Sequence, residues 1–240
     1  MRALTSLLLA FSLLLPFQRV HAAGAVVGTG TASTASATSL TVSINPGTNS
    51  NVSIILSCSG DGGVTMSSAT YDGNAMTLIG TAGNPAIGDR SVTSWIYAAG
   101  NTTAGAKDAT CNFSSGQASA GAVAISGTSG TTSSVQTETP TGNFSLVVSS
   151  ATGDIVVDAL VTGSRTITIG GGQTEIYNLQ PVDSRGFGSY EAGAASVTMS
   201  ETQSSSVGAG GAAHIAFNVP AGTQGGVAPP SFQLWPFSLF

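Results

Sequence analysis

The chain has 240 residues and a formal net charge of −5, and only 7% of its residues are charged. Such an acidic and sparsely charged surface would repel a phosphate backbone, so nucleic acid is excluded as a partner. The surface must instead consist largely of Ser, Thr, Asn, Gln and Gly, which suits a protein outside the cell.

The first residues predict an export signal. Arg2 precedes an apolar stretch over residues 7–17, and small residues around Ala22 form a cleavage site. The apolar stretch is too short to span a bilayer as a helix. We therefore expect residues 1–22 to be a signal peptide and no transmembrane segment to remain after cleavage. The mature protein is expected to be secreted or at the cell surface, with the periplasm as the alternative.

Beyond this segment, apolar and polar residues alternate with a period of two, and turns rich in Gly and Ser interrupt the alternation. This pattern predicts β-strands, and helical spacing is nearly absent. The predicted strands, in chain order, span residues 39–44, 52–58, 68–71, 75–79, 92–98, 108–113, 120–125, 145–149, 154–162, 165–169, 174–179, 195–200 and 212–219. The sequence therefore predicts an all-β protein.

The dipeptide Asp72-Gly73 separates two of these strands. Asp-Gly supplies positive φ at both central positions of a type I′ hairpin turn. A carboxylate at such a turn stays open to water, so we expect Asp72 to shape the turn and to have no catalytic role.

Two cysteines, Cys58 and Cys111, each fall on the apolar face of a predicted strand. In an exported chain this pair predicts one disulfide bond. The bond would close a loop of about 53 residues and contribute roughly 4 kcal/mol by loop-closure entropy. Two buried free thiols are the alternative.

The chain also repeats its own pattern. "TSLTVSINPGTNSNVSIILSCSG" parallels "FSLVVSSATGDIVVDALVTG", and residues 103–126 parallel residues 191–218. We infer two related halves, about residues 25–127 and 128–219. Together they predict a single large, jelly-roll-like antiparallel β-sandwich over residues 23–219. Two tandem immunoglobulin-like sandwiches are the alternative.

Five residues are candidates for ligand binding. Trp95 and Tyr97 share one strand face, where exposed rings would form a stacking platform and buried rings would belong to the core. In "GGGQTEIYNL", Gln173, Glu175 and Tyr177 fall on one strand face after three glycines. Amide, carboxylate and aromatic groups are those that hold a sugar. The alternative for this segment is a tight connection between two strands.

Two further polar residues lie within predicted strands. His214 is the one histidine after residue 22, and no Gly-x-Ser-x-Gly elbow accompanies it, so we expect a strand residue and not a catalytic base. Asp158 lies in a strand that is apolar on both faces, where Arg165 or a backbone amide is expected to pair with it. One histidine predicts no metal site, and we expect no cofactor and no enzymatic activity.

Residues 220–240 differ from the rest. Their Gly/Pro-rich first part is typical of a flexible segment. The last ten residues could dock on a partner as a strand or in a groove, and a mobile tail is the alternative. The candidate docking residues are Phe232, Leu234, Trp235, Phe237 and Phe240.

The ordered set "TYDGNAMTLIG", "RSVTSWIYAAGNTTAG", "GDIVVDAL", "GGGQTE", "AASVTMSETQSSS" and "AAHIAFNV" resembles an uncharacterised family of β-sandwich domains, jelly-roll or immunoglobulin-like, from bacterial secreted and cell-surface proteins. The resemblance covers residues 25–219 and implies a fold and a location. It supplies no catalytic residues.

These observations predict a secreted, non-catalytic β-sandwich protein with a structural, adhesive or surface-interaction role. A carbohydrate-binding module is the alternative. The expected partners are cell-surface glycans or other surface proteins.

Overall fold

A computed structural model describes residues 23–222. The predicted signal peptide and the candidate docking residues near the C-terminus lie outside these described residues. Between residues 23 and 222, no helix is long and apolar enough to cross a bilayer.

The described chain forms fifteen strands and one 3₁₀ turn, Pro85–Ile87. The strands are β1 (Ala25–Ile44), β2 (Val52–Gly60), β3 (Met66–Tyr71), β4 (Asn74–Ala75), β5 (Thr77–Ala82), β6 (Ser91–Gly100), β7 (Lys107–Ser126), β8 (Ser133–Glu138), β9 (Phe144–Ser149), β10 (Ile155–Gly163), β11 (Ile167–Ile169), β12 (Thr174–Leu179), β13 (Ser184–Ala192), β14 (Ser196–Gln203) and β15 (Ala213–Val219). All their pairings are antiparallel, so the predicted all-β sandwich class is confirmed.

The first half is organised around β7, a strand of 20 residues. β1 follows one edge of β7 along nearly its whole length, with an irregular register near Ala37. The other edge of β7 pairs first with β3 and then with β2. Cys58 in β2 bonds to Cys111 in the first part of β7, so the two parts of β7 face each other across a core. The long strands therefore contribute to both layers of a sandwich.

The second half has the same pairing pattern. β10 lies between β13 and β15, just as β2 lies between β6 and the last part of β7. β12 extends this sheet as β5 does in the first half, and β8 borders β15 as β1 borders β7. The small sheet β11-β14-β9 corresponds to β3, the first part of β7 and the last part of β1. A duplicated unit would produce this one-to-one correspondence.

A central apolar cluster joins the halves. Ile55 and Val123 come from the first half, and Val157, Ile215 and Phe217 come from the second; each is at most 1% exposed. Further clusters fill the interior of each half. Strands β2 and β10 are buried along their whole length because one face lies in the central cluster and the other in their own half. Burial on both faces accounts for their nearly continuous apolar sequences.

Small residues let the halves approach closely. A Cβ atom on Gly121 would lie 2.1 Å from Cδ1 of Tyr177, and one on Gly186 would lie 1.9 Å from Oγ of Ser119. The Tyr177 hydroxyl lies 3.3 Å from Oγ of Ser59, so this ring bridges the two halves. Several of the glycines therefore serve packing as well as turns.

Two local predictions are confirmed. Cys58 and Cys111 form a disulfide bond inside the core of the first half, and both are fully buried. Asp72 and Gly73 have φ of 49° and 78°, as the hairpin turn requires. The Asp72 carboxylate accepts a hydrogen bond from Nζ of Lys107 at 3.0 Å on the exposed surface.

Candidate functional site

A buried polar cluster occupies the face of the β10 sheet that is turned away from the other half. Its members are Glu138, Asp158, Gln173, Ser189, Glu201 and His214. Asp158 is directly opposite Ser189 in β13 and diagonal to His214 in β15. Glu201 is on the inner face of β14, where Val197 and Met199 are also buried. Strand register therefore gathers residues that are far apart in sequence.

Asp158 is 1% exposed and accepts three hydrogen bonds. Its Oδ1 accepts from the backbone N–H and the hydroxyl of Ser189 at 2.8 and 2.7 Å, and its Oδ2 lies 3.1 Å from Nε2 of His214. These donors replace the water that burial removes. The predicted backbone-amide partner is confirmed. Arg165, the alternative partner, makes no hydrogen bond to Asp158.

His214 is fully buried between two carboxylates. Its Nδ1 lies 2.9 Å from Oε1 of Glu138, and its Nε2 faces Asp158. Burial by itself lowers the pKa of His214, but the hydrogen bonds to Asp158 and Glu138 outweigh it and raise this pKa to about 9. The imidazole is therefore charged at neutral pH and donates from both nitrogens. The Phe144 ring packs edge-on against it, with centroids 5.5 Å apart.

Glu201 is 1% exposed. Its Oε1 accepts a hydrogen bond from Nε2 of Gln173 at 2.5 Å. Its Oε2 lies 3.8 Å from Nε2 of His214 and has no hydrogen-bond partner among the described residues. Burial raises the pKa of Glu201 far above its ordinary range, and the neighbouring Asp158 charge raises it further. Burial therefore favours the protonated form of Glu201.

The glycine loop before β12 directs Gln173 into this cluster. A Cβ atom on Gly170 would lie 2.5 Å from Oε1 of Gln173 and 2.4 Å from the carbonyl oxygen of Ser200, so only glycine fits there. The Gln173 amide nitrogen donates to Oγ of Ser189 at 2.9 Å as well as to Glu201. Its Oε1 accepts from the backbone N–H of Ser200 at 3.2 Å.

The composition of the cluster suits two kinds of chemistry. Ligand atoms of Asp158, Glu201 and His214 lie within 4.8 Å of one another, and carboxylate and imidazole groups are donors for zinc or manganese. The second kind is proton transfer, because the hydroxyl of Ser189 lies beside the carboxylate of Asp158. The cluster is not a Ser-His-Asp triad, because Ser189 donates to Asp158 and not to His214.

The predicted sugar-binding residues do not form one surface. A β-bulge between Glu175 and Tyr177 interrupts the alternation on which their shared face depended. Glu175 is exposed, Gln173 is in the buried polar cluster, and Tyr177 is only 2% exposed. Trp95 is 4% exposed and packs in the core of the first half. The predicted binding roles of Tyr177 and Trp95 are therefore corrected to packing roles.

Tyr97, the other member of the predicted aromatic pair, borders a cavity. The cavity has a volume of about 170 Å³ and includes Tyr71, whose ring centroid is 5.2 Å from that of Tyr97. Tyr97 is half-buried, whereas Tyr71 is nearly covered. Polar side chains complete the wall, namely those of Asp72, Asn74, Asn101, Thr102, Thr103 and Lys107.

No family model, no curated protein and no solved structure matches this chain.

Proposed function

We propose that this protein is a non-catalytic structural module that acts outside the cell, in an adhesive or spacing role at a bacterial surface. The observation that carries the proposal is the burial of Asp158, Glu201 and His214, each at most 1% exposed. A substrate in solution cannot reach groups placed between two sheets, so they support the fold and do not turn over a substrate.

Two further features support this role. The disulfide bond is typical of proteins that work in an oxidising compartment. The central apolar cluster joins both halves, which suits a rigid spacer. A bacterial host and export through the predicted signal peptide belong to the same proposal.

Fractionation of the native host and brief protease treatment of intact cells test the location. We expect the chain in the surface or medium fraction, with Cys58 and Cys111 oxidised. Recovery from the cytoplasm with both thiols free would contradict the proposal. Purified protein immobilised on beads should then retain material from the cell surface, and an enzyme panel on extracellular polymers should show no turnover.

A second candidate function is carbohydrate binding at the Tyr97 cavity. The observation that favours it is an accessible ring edge surrounded by amide, hydroxyl and charged groups, the side chains that bind sugars through stacking and hydrogen bonds. Glycan-array binding that is lost in Tyr97→Ala and kept in Tyr190→Ala would favour this function. Binding that survives Tyr97→Ala would exclude the cavity.

A further inference from the structure

Ser189 and Gln173 meet inside the buried polar cluster. Oγ of Ser189 lies 2.9 Å from Nε2 of Gln173, and the Ser189 side chain is fully buried. A hydroxyl and a primary amide are the two reactants of an acyl transfer, and this hydrogen bond holds Oγ one bond away from Cδ, the carbon that it would attack. We propose that Ser189 and Gln173 join through an intramolecular ester bond, with loss of ammonia.

A carboxylate stands beside the hydroxyl. Ser189 Oγ donates its hydrogen bond to Oδ1 of Asp158 at 2.7 Å, which is within reach for proton transfer. The other oxygen of Asp158 faces the charged imidazole of His214. Asp158 is thus the general base that takes the proton from Ser189 as Oγ attacks.

The opposite side of the amide has an acid and a hydrogen-bond donor. Oε1 of Glu201 accepts a hydrogen bond at 2.5 Å from the Gln173 nitrogen that would leave, so this carboxyl group is the one placed to return a proton to that nitrogen. The backbone N–H of Ser200 lies 3.2 Å from Oε1 of Gln173, where negative charge develops during the attack. Base, acid and oxyanion donor therefore surround a single amide.

The step balances without a further reactant. Oγ of Ser189 lies beside the amide nitrogen, so a rotation about the Cβ–Cγ bond of Gln173, together with a turn of the amide plane about Cγ–Cδ, brings the face of the amide carbon to Oγ. Asp158 takes the hydroxyl proton as the C–O bond forms. The C–N bond then breaks, its electron pair stays with nitrogen, and Glu201 supplies the proton that completes ammonia. The proton on Asp158 replaces the one that Glu201 gave, so both carboxyl groups return to their starting states.

Burial protects the product. Ser189 is fully buried, so water has little access to the ester carbonyl, whereas the half-buried Gln173 leaves a route by which ammonia reaches solvent. The bond would fix Gln173, which lies just before the edge strand β12, to the neighbouring strand β13. Ester formation occurs once in each chain and is not catalytic turnover. It does not depend on the proposed adhesive role.

Mass spectrometry of the folded full chain tests the proposal. The ester lowers the mass by about 17 Da, the mass of ammonia, relative to the sequence. Trypsin cuts after Arg165 and Arg185, so Gln173 lies in peptide 166–185 and Ser189 in the peptide that begins at Gly186. We expect these two peptides to appear as one linked species that hydroxylamine separates.

Variants assign the bond to its residues. Gln173→Met and Ser189→Ala should each restore the sequence mass and give separate peptides, while Ser59→Ala, which removes another buried serine hydroxyl, should keep the linked species. Because Gln173 is half-buried, its variant is expected to fold even where Ser189→Ala does not.

Three results would overturn the proposal. The first is an unshifted mass in the folded wild-type chain. The second is a gain of about 1 Da at Gln173 without linkage, which would identify water as the nucleophile. The third is an unshifted chain mass that rises by one zinc or manganese ion under native conditions, which would make the cluster a metal site.

Discussion

Nε2 of His214 lies 3.1 Å from Oδ2 of Asp158, and neither side chain is accessible to solvent. A buried charge pair of this kind is costly to break from one side, because the remaining charge has neither its partner nor water. We therefore expect Asp158→Ala and His214→Ala each to lower the free energy of unfolding by about 3–5 kcal/mol. Urea denaturation measures the loss.

The exposed pair of Asp72 and Lys107 is the matched control. These side chains are 54% and 35% exposed and lie 3.0 Å apart, so Lys107→Ala should cost at most about 1 kcal/mol. The double variant Asp158→Ala/His214→Ala should cost less than the sum of the two single variants, since neither member of this fully buried pair is then left without the other. Equally small losses of stability at the buried pair, Asp158 and His214, and at the exposed pair, Asp72 and Lys107, would contradict the interpretation that the buried pair stabilises the fold.

The cluster also predicts that stability falls as the pH rises. The pKa of His214 is raised from 6.5 to about 9 in the folded state, so its stabilising contribution is complete below pH 6.5 and is lost through about pH 9. Glu201 also has a raised pKa, and the folded state keeps a proton that the unfolded chain releases above its ordinary pKa of 4.5. Both groups bind more protons in the folded state, so both destabilise it as the pH increases.

Denaturant titrations between pH 5 and pH 9 test this direction. The His214 shift alone corresponds to on the order of 3 kcal/mol. Glu201→Gln and His214→Gln should each flatten the curve, whereas Glu175→Gln, at an exposed site, should leave it unchanged. A stability that is constant or rises with pH would show that the cluster is not protonated as described.

Much of the fold could be predicted from local sequence, because the signals that specify it are short. The Asp72-Gly73 turn follows from the φ preference of two residues, and the disulfide follows from two cysteines on apolar strand faces. Alternation located most strands. It missed the first part of β1, from Ala25, because small and hydroxyl residues there show no contrast between faces. It also missed β8 and β13 entirely, because their sequences, SSVQTE and SRGFGSYEA, contain few large apolar residues.

The site could not be predicted in the same way, because strand register brings its members together. Alternation placed Asp158 and His214 each on one face of its own strand, but it did not reveal that β10 and β15 are neighbours. Glu138, Ser189 and Glu201 were missed altogether. For Glu201 a signal existed, since it alternates with Val197 and Met199 in β14 and so belongs to the buried face.

Loss of the disulfide bond should destabilise the first half. Cys58 and Cys111 are 53 residues apart, and loop closure of that length corresponds to roughly 4 kcal/mol. We expect Cys58→Ala/Cys111→Ala to lower the free energy of unfolding by about that amount, and reduced wild-type protein to lose a similar amount. If the double variant were as stable as the oxidised wild-type protein, removal of the disulfide bond would add little conformational entropy to the unfolded chain.

The contact between Gly121 and Tyr177 predicts that the halves unfold together. A methyl group at residue 121 would overlap the Tyr177 ring of the other half, so Gly121→Ala should destabilise the protein by about 1–3 kcal/mol. Gly142→Ala, with no atom within 4 Å of the added carbon, should change stability by less than about 0.5 kcal/mol. Adding Tyr177→Leu to Gly121→Ala should recover part of the loss, because a smaller side chain leaves room for the methyl group.

Hydrogen exchange of the Gly121→Ala variant should show protection falling in β2 and β10 alike, since both border the central apolar cluster. Loss of protection in one half alone would show that the shared core does not couple them.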